Sequence, residues 1–320
     1  MRLGVLDVGS NTVHLLIVDA HPGASPVPFH SERTVLRLMR YLASDGAITA
    51  EGISALEAAI QSAVDTMRHI GVDDILPTAT SAIREAPNGA AVLAHIEAQT
   101  GVHLRVLTGE DEARITMLAV RRWFGWSAGE ILLFDIGGGS FEIAQGADEY
   151  PEVSVSVPLG AGRMTREFLP DDPPRREDIS ALRAHARAVF TDVRRQFKHR
   201  PKPTHVVGTS KTIRSLARLV GGISDSNSST PPPLQYANLR DWEPRLRDIP
   251  ASARQLLPGI TPERTEQIVA GAVVVRTAMK VFGVDSLEIS PWALREGIVL
   301  RYIDALDAPG ADPVTLSFTQ

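Results

Sequence analysis

Leu3-Gly-Val-Leu-Asp7-Val-Gly9-Ser10-Asn11-Thr12-Val-His14-Leu15 stands at the head of the chain, and Ile131-Leu-Leu-Phe-Asp135-Ile-Gly137-Gly138-Gly139-Ser140-Phe-Glu142-Ile143 repeats its pattern further on. Aligned on their aspartates, the stretches share a following glycine, a hydroxyl at Thr12 and Ser140, and an apolar residue at Leu15 and Ile143. Each reads as a buried strand, a tight glycine-containing turn and a second strand. One copy alone is accounted for by an ordinary β-hairpin with an Asp-x-Gly turn. Recurrence at the head of each half points instead to duplicated α/β domains with a cleft between them.

The turn chemistry suggests what such a cleft would hold. Glycine permits backbone conformations and close approaches that a Cβ blocks. Successive N–H groups and Ser or Thr hydroxyls then surround a phosphate oxygen. An aspartate ending the preceding strand is placed for a divalent cation or its water, because hard cations choose oxygen ligands. A third glycine turn, His205-Val-Val-Gly208-Thr209-Ser210-Lys211-Thr212, reads as strand, loop and helix, with hydroxyls at a helix start where N–H groups are free. It is not a Walker loop, because the required glycine spacing before Lys211 is missing. Gly160-Ala-Gly162 does not continue into a dinucleotide fingerprint either, since Thr165 stands where the last small residue belongs.

Composition narrows the class. The chain has 320 residues, 43% hydrophobic and 22% charged, with a formal charge of −5 and no cysteine. Collagenous, coiled-coil and wholly disordered readings are excluded, as are thiol nucleophiles and Cys-based metal sites. The charge argues against general affinity for nucleic acid. The longest apolar run, Ile268 to Val275, is far short of the roughly 18 residues a membrane span needs. A soluble, cytoplasmic protein without a membrane partner is expected.

Thr108-Gly-Glu110-Asp111-Glu112-Ala-Arg114 opens a helix running toward Trp123. Thr108 and Asp111 have capping-box spacing, and acids in a first turn favour the helix dipole, which by itself accounts for all three carboxylates. The functional reading sends one of them into the cleft to position or deprotonate a water. Glu142, on the strand leaving the second loop, is placed to share a metal with Asp135. Arg175 to His199 reads as one helix with Arg183, Arg187, Arg194 and Lys198 on one face, a solvated surface or a guide for a long polyanion. The nine histidines show no metal spacing. Pro22 to Pro28 and Pro170 to Pro174 read as loops, and Gly221 to Pro233 as the most flexible internal stretch.

Taken together, Asp7–Thr12, Ala79–Asn88, Gly109–Arg114, Asp135–Glu142, Gly208–Thr212 and Leu294–Gly297 resemble the motifs of the exopolyphosphatase / guanosine pentaphosphate phosphatase family. That family lies within the superfamily of actin, sugar kinases and heat-shock chaperone ATPases. The resemblance implies two ribonuclease-H-like α/β domains, residues 1–125 and 126–291, with the active site in a cleft between them. A helix over 292–306 would pack back on the first domain, and 307–320 would be a flexible tail. Glu112 matches the family's proposed catalytic base and Glu142 its second essential carboxylate. Asp7 and Asp135 match the aspartates near magnesium, with Glu142 beside them. Ser10, Asn11, Thr12, Gly137, Gly138, Gly139, Ser140, Gly208, Thr209, Ser210 and Lys211 fall at phosphate-loop positions, Lys211 replacing the usual glycine. Arg84 matches an arginine able to neutralise a phosphoryl oxygen.

The implied activity is magnesium-dependent release of terminal phosphate from inorganic polyphosphate. Shorter chains would be favoured, because the helical C-terminal domains of longer members are not expected here. Hydrolysis of guanosine pentaphosphate is the alternative within the class, and a non-catalytic polyphosphate or nucleotide sensor the alternative outside it. The family resemblance also implies a homodimer.

Overall fold

The computed structural model describes residues 1–21, 23, 25–221 and 232–307. Its two sheets share one plan. In the first, β1 (Arg2–Val8), β2 (Thr12–Asp19), β3 (Pro28–Val35), β4 (Asp74–Ala79) and β5 (Arg105–Val106) lie in the order β3-β2-β1-β4-β5. β1, β2 and β3 run antiparallel, while β4 and β5 are parallel to β1. The second contains β6 (Ile131–Ile136), β7 (Phe141–Gly146), β8 (Val153–Val157), β9 (His205–Gly208), β10 (Leu234–Gln235) and β11 (Ser286–Ile289). Read from β8, its order β8-β7-β6-β9-β11 repeats the first plan, with β10 added at the edge.

The repeat extends to register. Asp7 lies opposite His14 on β1 and β2, and Asp135 lies opposite Glu142 on β6 and β7. Each hairpin is closed by the same bond, Gly9 N–H to Thr12 C=O at 3.0 Å and Gly137 N–H to Ser140 C=O at 2.9 Å. The sequence repeat is therefore a backbone repeat.

The chain forms two units, one of Met1–Ala119 together with the chain from Leu294, the other Val120–Ala293. In the first, α1 (Ala50–Ile70), α2 (Ser81–Arg84), α3 (Gly89–Thr100) and the first part of α4 (Gly109–Phe124) follow the strands, and α11 (Leu294–Asp307) completes it. β1 and β2 are nearly continuous apolar runs because both faces of their sheet are covered. Leu6, Val8, Leu15 and Ile17 pack with Leu56 and Ile60 of α1 and with Val92 and Ile96 of α3. On the other face, Leu3, Val5, Leu16 and Val18 meet Ile115 of α4 and Ile298, Tyr302 and Ile303 of α11. Strand alternation puts Asp7 on this second face, after Leu3 and Val5. A Cβ at Gly297 would stand 2.2 Å from the Ile115 carbonyl oxygen, so the glycine is what lets α11 approach α4 so closely.

The second unit adds α5 (Ala161–Phe168), α6 (Arg176–Val193), α7 (Ser210–Val220), α8 (Tyr236–Asp248), α9 (Ala251–Arg254) and α10 (Ile268–Phe282). α10 is apolar nearly all round because it lies inside the core formed by Phe134, Phe141, Leu182, Phe190 and Leu216. The single helix expected over 175–199 ends at Val193. A 3-10 turn over Arg194–Phe197 replaces its last part and keeps Phe197 buried against Phe282, 5.5 Å between ring centres. The expected basic stripe is also broken: Arg183 bonds Glu243, a buried carboxylate that Arg276 contacts at 3.0 Å from its other side.

Among the described residues no helix is long and apolar enough to cross a membrane. Pro22 and Ala24 of the first expected loop, most of the expected flexible stretch (222–231) and the expected tail from 308 lie outside the described residues.

Candidate active site

In the first unit, three segments leave the carboxyl ends of neighbouring parallel strands, where open α/β sheets bind ligands. The first is the turn Gly9-Ser10-Asn11 after β1. The second is Thr80–Arg84 after β4, tied to β1 by Thr80 N–H donating to the Val8 carbonyl at 3.2 Å. The third starts α4 after β5, and Leu107 N–H holds it to the Ala79 carbonyl at 2.9 Å. The buried Ser10 and Ser81 hydroxyls lie 3.0 Å apart, joining the turn to α2. Asn11 fixes the turn's far side, its carbonyl accepting from the N–H groups of Leu36 and Arg37. Thr12 begins β2, half-buried.

The structure separates the three first-turn acids of α4. Thr108 Oγ1 donates to Asp111 Oδ2 at 2.6 Å and accepts from Asp111 N–H at 3.1 Å, so Asp111 is a capping residue. Glu110 points outward and pairs with Arg114 at 3.3 Å. Glu112 is 8% exposed and meets Arg84 Nη1 at 2.5 Å. The same Arg84 nitrogen donates to the Leu107 carbonyl at 2.7 Å. The family resemblance implies separate phosphate-binding and base roles for Arg84 and Glu112; in the structure they form one charge-assisted pair, which fixes the direction of the carboxylate.

In the second unit the loop Gly137–Ser140 has its carbonyls tied down. The Gly137, Gly138 and Gly139 carbonyls accept from the N–H groups of Ala161, Arg163 and Gly160 at 3.0, 2.9 and 3.2 Å. Arg163 Nε adds a second bond to the Gly139 carbonyl at 2.9 Å. Among the described residues, the N–H groups of Gly138, Gly139 and Ser140 donate to no protein acceptor. Consecutive undirected N–H groups of this kind form an anion-binding concavity. Beside the loop, Asp135 and Glu142 are cross-strand partners and so share one face of the sheet. Glu142 is buried and accepts from Ser156 Oγ at 2.8 Å.

The third loop joins the same edge. Thr209 N–H donates to the Phe134 carbonyl at 2.9 Å, next to the β6 end, and Gly208 ends β9. Ser210 sits at φ 75°, a left-handed conformation costing a non-glycine residue roughly 1–2 kcal/mol. Its Oγ accepts from Ile213 N–H at 3.2 Å. Thr209 is fully buried and its hydroxyl oxygen has no hydrogen-bond partner among the described residues. Lys211 lies in the first turn of α7.

The carboxylates suit a magnesium ion of the kind the family resemblance implies. Among the described residues no three His, Cys, Asp or Glu side chains cluster closely enough to enclose a metal. Mg²⁺ is commonly held by one or two carboxylates, with waters and substrate phosphates completing its shell. The Asp135–Glu142 pair matches that donor set.

Three residues escaped the sequence reading. Ser81 links α2 to the first turn. Gly160 packs on the second loop: a Cβ there would lie 2.3–2.4 Å from Gly139 and Ser140 backbone atoms. His14 occupies, opposite Asp7, the place Glu142 holds opposite Asp135. It is buried, with Nε2 3.0 Å from Ser31 Oγ. The repeat alignment already pairs His14 with Glu142, so this signal was present.

A duplicated β3-β2-β1-β4-β5 sheet, each copy carrying a glycine-turn hairpin at its centre, defines a two-domain protein of ribonuclease-H-like α/β architecture. Residues 16–306 match the Ppx/GppA phosphatase family, and the chain belongs to that family. Exopolyphosphatase 1 of Mycobacterium leprae is 47% identical over 306 residues, covering 95% of this chain and 90% of that protein. Exopolyphosphatase 1 of Mycobacterium tuberculosis is 46% identical over 95% of this chain and 89% of its own length. The crystal structure of an exopolyphosphatase from Cytophaga hutchinsonii, 23% identical, matches 95% of this chain and 98% of its own with a TM-score of 0.86, which shows the shared fold.

Proposed function

We propose that this chain is an exopolyphosphatase that releases the terminal phosphate of inorganic polyphosphate. The observation carrying the reading is 46–47% identity, over 95% of the chain, to relatives named Exopolyphosphatase 1. The clusters on both units fit the chemistry. Water forms a new P–O bond at the terminal phosphorus while the bridging P–O bond breaks, yielding phosphate and a chain one unit shorter. Glu112, aimed by Arg84, positions the water and takes its proton, a contribution typically worth about 10²–10⁴ in rate. The free N–H groups of Gly138, Gly139 and Ser140 receive the negative charge of the terminal phosphoryl oxygens, with Ser10, Asn11, Thr12, Gly208, Thr209, Ser210 and Lys211 as further phosphate contacts. Asp135 and Glu142 would hold Mg²⁺, which when bound neutralises phosphate charge, and Asp7 is the metal-ligand candidate on the first unit. Cytoplasmic residence and a homodimer complete the proposal, the latter to be checked by light scattering on the purified protein.

The test is phosphate release with magnesium from tripolyphosphate, long polyphosphate, guanosine pentaphosphate and ATP, with Glu112→Gln as control. Preference for polyphosphate, shorter chains first, and a control slowed at least about a hundredfold are expected. Preference for guanosine pentaphosphate would replace the substrate assignment. Full activity in Glu112→Gln would remove the base.

A further inference from the structure

A cavity of about 730 Å³ opens in the second unit at the end of the sheet opposite its glycine loops. Leu132, Val206 and Ser286 line it at the starts of β6, β9 and β11, whereas the loops follow the ends of β6 and β9. The length of β6 from Leu132 to Ile136 sets the two regions roughly 13 Å apart. Its floor is apolar and includes Phe197 and Phe282.

Its rim is basic in a chain whose formal charge is −5. Arg194, Arg195, Lys198, Arg200 and Lys202 line the cavity against one acid, Asp285. Some of these charges have structural work. Arg200 contacts Glu130 at 2.8 Å and Glu152 at 3.1 Å, Arg195 contacts Asp192 at 3.0 Å, and Arg194 bonds the Val281 carbonyl. The Lys198 and Lys202 ammonium groups have no ion-pair or hydrogen-bond partner among the described residues. The loop carrying Lys202 is nevertheless held firmly. Buried Gln145 donates to the Pro201 carbonyl at 2.8 Å and to Glu130 at 3.0 Å, and Thr204 N–H donates to the Glu130 carbonyl at 2.7 Å. A buried network thus fixes the loop carrying Lys202, and Lys198 directly follows the buried Phe197, so two uncompensated lysines border one cavity, a preorganised arrangement for an anion with several charges.

We propose that this cavity is a second anion site, which binds a linear phosphate chain, either inorganic or the tail of a nucleotide, away from the glycine loops. It goes beyond the hydrolase reading and does not depend on it, because the site is read by binding without turnover.

The experiment is calorimetric titration with tripolyphosphate and with ATP, in EDTA at low ionic strength, joined to hydrogen exchange over 194–206 and 282–286. The wild type should gain protection in both segments. Lys198→Glu/Lys202→Glu should lose that protection and the corresponding binding, with affinity down roughly tenfold or more and the difference shrinking as salt is added. Lys198→Gln/Lys202→Gln should fall between, and Arg68→Glu/Arg240→Glu, outside the cavity, should match the wild type. Loss for both ligands identifies the shared phosphate chain as what is read; loss for tripolyphosphate alone identifies the inorganic chain. Wild-type affinity and protection in the lysine variants, or no protection of these segments in the wild type, would overturn the site. A protein that binds here yet releases no phosphate would refute the hydrolase reading alone.

Discussion

Gly160→Ala tests the loop more sharply than any change in the loop motif itself. Gly160 has φ −66° and ψ 149°, a conformation open to any residue, so its lack of a side chain has another cause. A methyl there would lie 2.3 Å from the Gly139 carbonyl carbon and 2.4 Å from the Gly139 and Ser140 nitrogens, where ordinary contact begins at 3.4 Å. These are backbone atoms without rotamers, so the loop or the start of α5 must shift by about 1 Å, and overpacking of this kind costs about 1–3 kcal/mol. The shift falls on the N–H groups assigned to phosphate, where a displacement of about 1 Å costs on the order of a hundredfold in rate. Phosphate release at saturating tripolyphosphate should therefore fall about a hundredfold, and urea midpoints should show the stability loss. Gly137→Ala is the comparison. Its nearest neighbour, the Ser140 carbonyl oxygen, would be 3.5 Å away, so the methyl fits and stability should stay near wild type. A Gly160→Ala protein with wild-type turnover and midpoint would refute the steric reasoning.

Removing Arg84 leaves the buried Glu112 carboxylate without this partner, so Arg84→Ala should cost about 1–3 kcal/mol in urea unfolding. The cost should shrink in a Glu112→Gln background, and additive costs would mean that the pair is not coupled. Tyr302 donates to Asp74 at 2.8 Å, and burial, reinforced by that bond, holds its hydroxyl above the ordinary tyrosine range. A raised folded value means stability present below about pH 10 and lost above it, so the melting-temperature gap between wild type and Tyr302→Phe should narrow from pH 8 to pH 11. A constant gap would contradict this linkage. Chelation with EDTA should stop phosphate release and added magnesium restore it, while undiminished release in chelator would count against the metal assignment.

The strands were legible because a buried central strand must be apolar almost throughout, and the repeated Asp-x-Gly turn marked where each hairpin closes. The α4 cap was legible for a similar reason, since Thr108 and Asp111 carry out a local backbone function. Which of Glu110, Asp111 and Glu112 would pair with an arginine from elsewhere was not legible, because that depends on Arg84 arriving from α2 after β4. Arg183 misled for the same reason: Glu243 is 60 residues further along the chain. Gly160 was visible only as a failed nucleotide fingerprint. Its cause is close packing against Gly139 and Ser140, which sequence spacing cannot report.

The two hairpins share a backbone plan but offer different chemistry. Both place an aspartate at the same register and close the turn with the same bond. The residue opposite differs, and with it the chemistry available. Glu142 gives the second hairpin a pair of carboxylates suited to a cation. His14 gives the first a ring already engaged with Ser31, and one carboxylate fewer on that face. The first unit compensates with a carboxylate from a helix, Glu112, whose direction is set by an arginine rather than by a strand. A strand-borne pair is rigid, as suits holding an ion, while a carboxylate at the start of a helix beside a guanidinium can stay charged and still face a water. The repeat thus fixes the backbone plan, and under the proposed mechanism the unlike residues at 14 and 142 leave charge neutralisation to the second hairpin and water activation to Glu112.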